Sequence, residues 1–194
     1  MTRNRLEAFS DGVIAIIITI MVLELRVPEG EGLEALRPLM PVALSYVLSF
    51  VYLGIYWNNH HHMLHTVQRV SGPILWANLH LLFWLSLVPF ATAWLGENHY
   101  AAAAAALYGV ILLMAAIAYY ILQMTIVRSQ GRDSALKRAI GGDWKGHLSP
   151  VLYLLGVGLA FWKTEIALAL YVLVALIWLV PDRRIEKMIG QPGG

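Results

Sequence analysis

Cysteine is absent from this sequence, and charged residues are scarce. The 194 residues are 13% charged and 59% hydrophobic, whereas roughly a quarter of the residues in a soluble domain are charged. Without cysteine the chain can form neither disulfides nor thiolate metal sites, and its composition argues against a water-soluble monomer. Apolar stretches of about 20 residues, long enough to cross a bilayer, recur along the whole chain. The sequence therefore predicts an all-α integral membrane protein.

Several functional motifs are also missing. The sequence contains no Thr-Val-Gly-Tyr-Gly segment for a carbonyl-lined ion filter and no HExxH zinc motif. The cluster "FSDG" at 9–12 occurs once, so the sequence does not suggest a transporter built from two matching halves. We expect no catalytic residue and no enzymatic activity, and neither a cofactor nor a nucleic-acid partner.

Six hydrophobic segments predict six membrane spans within a single domain covering residues 1–194. The segments are residues 5–27, 36–64, 73–95, 100–127, 147–162 and 165–181. The last two are short for a crossing and flank the polar "KTE" at 163–165, which predicts a tight hairpin between short or tilted helices. Pro150 is typical of a first helical turn in the fifth segment.

The distribution of basic residues predicts the orientation, because cytoplasmic loops collect Lys and Arg. With the N-terminus inside, the inward segments hold 11 of the 14 basic residues. They are Arg3, Arg5, Arg69, Arg128, Arg132, Lys137, Arg138, Lys145, Arg183, Arg184 and Lys187. The outward loop "PEGEGLEALRP" is acidic. We expect a multi-pass protein of the cell membrane with both termini in the cytoplasm.

The first segment looks superficially like a signal peptide, with two early arginines before an apolar stretch. Glu7 and Asp11 interrupt that charge pattern, however, and no small-x-small cleavage site follows Leu25. We therefore expect this segment to belong to the mature protein.

Ser10 and Asp11 directly precede the aliphatic run, where both could serve as an N-cap. A helix that starts at Gly12 would span only about 24 Å, which is too short for a comfortable crossing. A start at Asn4, with capping-box spacing to Glu7, gives about 35 Å. The length favours Asp11 inside the helix, where a carboxylate needs a partner from another helix or subunit.

An aliphatic stripe with one hydroxyl follows on a different face from Asp11. At about 100° per residue, its members fall within an arc of about 100°. They are Gly12, Ile16, Thr19, Ile20 and Leu23. On composition alone, such a stripe is more often a packing or lipid surface than a pore.

The first segment also resembles a known family. Arg5-x-x-x-Phe9-Ser10-Asp11-Gly12-Val13, leading into an Ile/Thr-rich helix, is similar to the signature of the transmembrane protein 175 family of potassium channels. The resemblance extends to "YWNNHHHML" in the second segment, which matches a W-x-x-H-H pattern, and to Asn78 in the third. Positions after 130 match no motif of this family.

The resemblance implies a homotetramer with six helices per subunit, whose first helices line a central pore. Its aliphatic constrictions correspond to Ile16, Ile20 and Leu23, and Thr19 adds a hydroxyl ring. A structural polar network corresponds to Arg5, Ser10, Asp11 and His60. The function implied is a potassium-permeable channel of modest selectivity, with potassium ions, the lipid bilayer and further copies of the chain as its partners.

Other functions stay open on sequence alone. Asp11 and a histidine of the second segment could serve a proton-coupled ion transporter, because intramembrane ionisable residues often carry function. His61 and His65, four residues apart, could share a metal with a carboxylate, but no carboxylate lies within "HHHMLH", so we expect no metal site. A purely structural scaffold is the third possibility.

Overall fold

The computed structural model of this chain describes residues 1–130, Leu136 and residues 144–179. These residues form seven α-helices, which confirms the all-α prediction. The helices are α1 (Arg3–Ile20), α2 (Met40–His65), α3 (Gly72–Ser86), α4 (Val88–Glu97), α5 (Ala102–Gln130), α6 (Trp144–Leu159) and α7 (Thr164–Leu179). The 3-10 helix Met21–Glu24 directly follows α1, and the 3-10 helix Leu33–Leu39 directly precedes α2.

The first helix begins earlier than Ser10, as its length requires. It starts at Arg3, with Thr2 as an N-cap whose side chain makes no capping bond, so the predicted cap at Asn4 is wrong by two residues. Asp11 lies well inside the helix, as predicted. The 3-10 helix Met21–Glu24 then continues the same hydrophobic segment.

The third hydrophobic segment is two helices instead of one. Its α-helical pattern is interrupted at Leu87, between α3 and α4. Pro89 lies in the first turn of α4, where a residue without an N–H is tolerated because that donor has no partner within the helix. Leu87 N–H donates instead to the Trp84 carbonyl at 3.3 Å, as in a tight turn.

The fifth and sixth segments form the hairpin that "KTE" predicts. After α6, the N–H groups of Trp162 and Lys163 both donate to the Leu159 carbonyl, at 3.0 and 2.8 Å. Pro150 lies inside α6 and not in its first turn, so that prediction is wrong, because the helix begins already at Trp144. The last two residues of the sixth predicted segment, 180 and 181, lie outside the described residues.

Long α5 packs against α3 on one side and α6 on the other, and glycine makes the second contact possible. A Cβ at Gly109 of α5 would collide with the Tyr171 hydroxyl, and one at Gly156 of α6 would collide with the same ring. Small residues at these positions let membrane helices approach closely. Tyr171 is fully buried in the gap, and its hydroxyl donates to the Ala105 carbonyl at 3.2 Å.

Four helical segments are long and apolar enough to cross a membrane. They are Arg3–Glu24, Leu33–His65, Gly72–Glu97 and Ala102–Gln130. Helix α7 is apolar but shorter, with 16 residues. The fold is therefore that of a multi-pass membrane protein in which α1 lies at one side and is held by α2, α3 and α4.

Candidate pore helix and its anchoring network

A buried chain of hydrogen bonds joins three helices around α1. Asn78 of α3 donates its Nδ2 to Ser10 Oγ of α1 at 2.9 Å and accepts at Oδ1 from His60 Nε2 of α2 at 2.7 Å. All three side chains have 0% exposure. The Ser10 hydroxyl in turn donates to the Leu6 carbonyl at 2.9 Å. Since the amide oxygen only accepts, His60 carries its proton on Nε2.

Asp11 has a partner from another helix, which its position inside α1 requires. The indole Nε1 of Trp57 in α2 donates to Asp11 Oδ1 at 3.1 Å. An indole N–H is a donor only, so the Asp11 carboxyl oxygen accepts this bond. Among the described residues, Asp11 makes no hydrogen bond to His60. Asp11 bonds to Trp57 of α2, whereas His60 of α2 bonds to Asn78 of α3.

A third set of contacts ties the first turns of α1 to the end of α2. The Arg3 guanidinium donates to the His65 backbone carbonyl at 3.1 Å, where the last carbonyls of a helix carry partial negative charge. Glu7 Oε1 lies 2.8 Å from His61 Nδ1 and 3.5 Å from His65 Nε2. The Glu7 side chain is 15% exposed. Glu7 therefore faces these histidines, four residues before Asp11.

The far end of the first segment is anchored by smaller hydroxyl groups. Thr92 of α4 lies beside the buried Met21 sulfur, at 4.0 Å, and its hydroxyl is 2.6 Å from that of Ser49 in α2. Ser49 also lies 2.9 Å from the Tyr108 hydroxyl of α5. The buried face of the first segment is thus fixed along its length, through α3 and α2 near its start and through α4 near its end.

The predicted stripe lies on the opposite, exposed face of the same segment. The exposed fractions of Ile16, Ile20 and Leu23 are 61%, 42% and 76%. The nearby Ile14 and Ile17, on the buried face, are 0% and 3% exposed. Thr19 is also exposed, and its hydroxyl lies 3.0 Å from the carbonyls of both Ala15 and Ile16. Such a sharp division leaves one aliphatic face of α1 uncovered in the single chain.

Arg5 is the predicted network residue that the structure does not place with the others. It is exposed and makes no hydrogen bond or ion pair within the described parts of the chain. Arg5 lies eleven residues, or about three turns, before Ile16, and so on the same face of α1. The described residues of this chain therefore provide no partner for Arg5.

Three residues of these contacts were not assigned a role in the network from the sequence. Asn78 and Trp57 are polar or amphipathic side chains inside apolar spans, a signal that points to internal partners. The contact of Glu7 with the histidines could not be predicted from the sequence, because Glu7 is more than fifty positions from them. Only the packing of α1 against α2 brings it there.

Comparison with known proteins agrees with this arrangement. Residues 5–89, which span α1 to α3 and the whole Ser10–Asn78–His60 chain, match the family described as endosomal/lysosomal potassium channel TMEM175. The sequence is 58% identical to a potassium channel of Chryseobacterium sp. (strain P1-3) over 97% of this chain and 98% of that relative. The chain belongs to the TMEM175 family.

Two further similarities extend over nearly the whole chain. A potassium channel of Streptomyces collinus (strain DSM 40733 / Tue 365) is 33% identical over 90% of each chain. The crystal structure of a lysosomal potassium-selective channel TMEM175 homolog from Chamaesiphon minutus matches with a TM-score of 0.79 and 30% identity, over 93% of this chain and 97% of that chain. TMEM175 is a family of channels, and the α5–α7 part of this member, which gave no recognisable motif, shares the fold.

Proposed function

We propose that this chain is one subunit of a potassium-permeable channel, in which four copies surround a pore lined by α1. The observation that supports it best is the division of α1 into a buried face, fixed by hydrogen bonds, and an exposed face of Ile16, Thr19, Ile20 and Leu23. The two bacterial relatives described above, which match over at least 90% of their own length, are both named potassium channels, and their names support the same ion.

Permeation in such a pore depends on side chains and not on backbone carbonyls. The carbonyls of α1 are bonded within the helix, so they cannot replace the water shell of an ion. Rings of Ile16, Ile20 and Leu23 gate by dewetting and favour the ion that loses water more cheaply, which is potassium over sodium. We therefore expect modest selectivity.

Thr19 differs from its aliphatic neighbours because its oxygen can contact a cation. Its hydroxyl proton is directed to the carbonyls of Ala15 and Ile16, which leaves oxygen lone pairs free to face away from the helix. A ring of such oxygens between Ile16 and Ile20 would partly substitute for lost water at the narrowest part of the pore.

The anchoring contacts keep this face directed at the pore. Ser10, Asn78 and His60 prevent α1 from turning about its axis, since any rotation would leave buried polar groups unpaired. Asp11 adds the bond to Trp57 on the neighbouring side. Arg5 belongs to this network through a second copy. Both termini lie in the cytoplasm, where the described basic residues Arg3, Arg5, Arg69, Arg128 and Lys145 would face.

The test is a flux assay on purified protein in liposomes. A potassium gradient without a pH gradient should drive ion flux, and single-channel recording should give a higher conductance and a weaker potassium preference for Ile16→Asn, because the amide wets the constriction. Leu155→Asn is the matched control, since Leu155 is also an exposed aliphatic residue but belongs to α6.

Equal currents from Ile16→Asn and the unmodified protein would remove Ile16 from the constriction. A flux that requires a pH gradient would instead favour the second candidate, a proton-coupled transporter using Asp11 and His60. Among the described residues, Asp11 bonds to Trp57 and His60 bonds to Asn78, so no direct hydrogen bond links the two residues of that candidate.

A further inference from the structure

Glu7, His61 and His65 form a compact cluster apart from the exposed face of α1. One ligand atom from each residue lies within 4.8 Å of the other two. His61 and His65 are four residues apart on α2 and so share one helix face. Glu7 comes from the second turn of α1 and supplies the carboxylate that the histidine segment itself lacks.

The orientation of His61 distinguishes this cluster from a simple ion pair. Its Nδ1 is buried and lies 2.8 Å from Glu7 Oε1, yet it makes no hydrogen bond among the described residues. Since 2.8 Å is short enough for a hydrogen bond, the bond is absent because of its angle. The carboxylate oxygen lies off the direction in which the ring nitrogen points. The two atoms instead lie side by side, as ligands of a common third atom do.

We propose that Glu7, His61 and His65 bind a divalent transition metal ion of the Zn²⁺ type. Two imidazoles and one carboxylate are a known zinc ligand set, with a water molecule in the fourth position. Bonds of about 2.0–2.1 Å in a tetrahedron place ligand atoms about 3.3 Å apart. The Glu7–His65 distance of 3.5 Å meets this requirement, and the Glu7–His61 distance of 2.8 Å must open by about half an ångström.

The metal would join α1 to α2 at the end where the helices are otherwise held by Arg3. The Arg3 guanidinium is occupied by the His65 backbone carbonyl, so it does not compete for the His65 ring. Within α1, Glu7 lies four residues before Asp11. The ion would thus fix the first turns of the helix that we propose lines the pore. Binding itself does not depend on channel function.

Titration of the tag-free protein in detergent with ZnCl2, after a wash with chelator, tests the site. We expect saturable binding of one Zn²⁺ per chain and a rise in melting temperature on binding. Co²⁺ should give the intense visible absorption of a tetrahedral site with nitrogen and oxygen ligands. Glu7→Gln and His65→Asn should each lower the affinity at least about tenfold, since even the loss of a residue outside the ligand set costs 10–100-fold.

His62→Gln is the matched control, because His62 lies between the two ligands on α2 but outside the cluster, and it should bind Zn²⁺ like the unmodified protein. Absence of saturable Zn²⁺ binding, or loss of binding in His62→Gln as large as in Glu7→Gln, would overturn the proposal. If Glu7→Gln does not fold, the His65→Asn variant and the Co²⁺ spectrum of the unmodified protein still decide the question.

Discussion

Asn78 connects three helices through the two ends of a single amide group. Its nitrogen donates a hydrogen bond to Ser10 and its oxygen accepts one from His60, and all three side chains are buried. In a membrane interior neither partner can turn to water instead. The position of α1 therefore depends on a residue of α3 that lies outside the family's first motif.

We expect Asn78→Ala to destabilise the protein by about 1–2 kcal/mol, because it removes two interhelical bonds worth up to about 1.7 kcal/mol each in membrane proteins. Thermal unfolding in detergent, followed by tryptophan fluorescence, measures the loss. Asn98→Ala is the control, since the exposed Asn98 side chain bonds, within the described parts of the chain, only to the Trp94 carbonyl of the adjoining helix α4. Equal stability of the two variants would mean that the buried chain does not hold α1.

The residues of this network differed in how far the sequence could reveal them. Asp11 was recognisable as a residue that needs an outside partner, because a helix starting after it would be too short. Its actual partner, Trp57, could equally have been an interfacial aromatic residue. The Glu7 contact was hidden, since the sequence shows only its repulsive neighbour Asp11 and not the histidines of a different helix.

At the scale of helices, the contacts between α5, α6 and α7 depend on two glycines. Gly109 and Gly156 both face the ring of Tyr171, whose hydroxyl is fixed by the Ala105 carbonyl. A rigid, bonded ring cannot move aside for a methyl group. The glycines thus determine how closely the last two helices approach the rest of the bundle.

Gly109→Ala should lower the free energy of unfolding by about 1–3 kcal/mol, the usual range for an overpacked core. Gly54→Ala provides the comparison, because a Cβ there meets nothing within 4 Å, and alanine favours a helix by about 0.5–1 kcal/mol. Thermal unfolding of both variants in the same detergent checks this. A Gly109→Ala protein as stable as Gly54→Ala would show that the helices can separate without loss.

The helices themselves were largely predictable, but their interruptions were not. Hydrophobic length gives the extent of a span, and each predicted segment is mostly helical in the described residues. The break at Leu87 and the inclusion of Pro150 within α6 depend on whether neighbouring groups compensate a missing N–H. That compensation is a property of packing, and a proline in the sequence looks the same in both situations.

For the whole molecule, the proposed tetramer makes the lack of cysteine useful. A single thiol introduced at Leu23, which is 76% exposed in one subunit, would lie in the pore. A charged methanethiosulfonate reagent should then reduce the potassium current of Leu23→Cys. The native chain has no thiol that could react.

Leu155→Cys serves as the control for this experiment, because Leu155 is also exposed but belongs to α6. Its current should not respond to the reagent. A light-scattering mass of four 21.6 kDa chains should accompany the block. Similar inhibition of both cysteine variants would place Leu23 outside the pore.

The change of helix type at Met21 sets the geometry at the end of the first segment. A 3-10 helix turns about 120° per residue and rises about 2.0 Å, against 100° and 1.5 Å in an α-helix. Leu23 therefore stacks almost directly over Ile20, where a regular α-helix would offset it by about 60°. The four residues also extend about 2 Å further than α-helix would. The 3-10 helix thus aligns Leu23 with Ile20 and lengthens the aliphatic face at the same time.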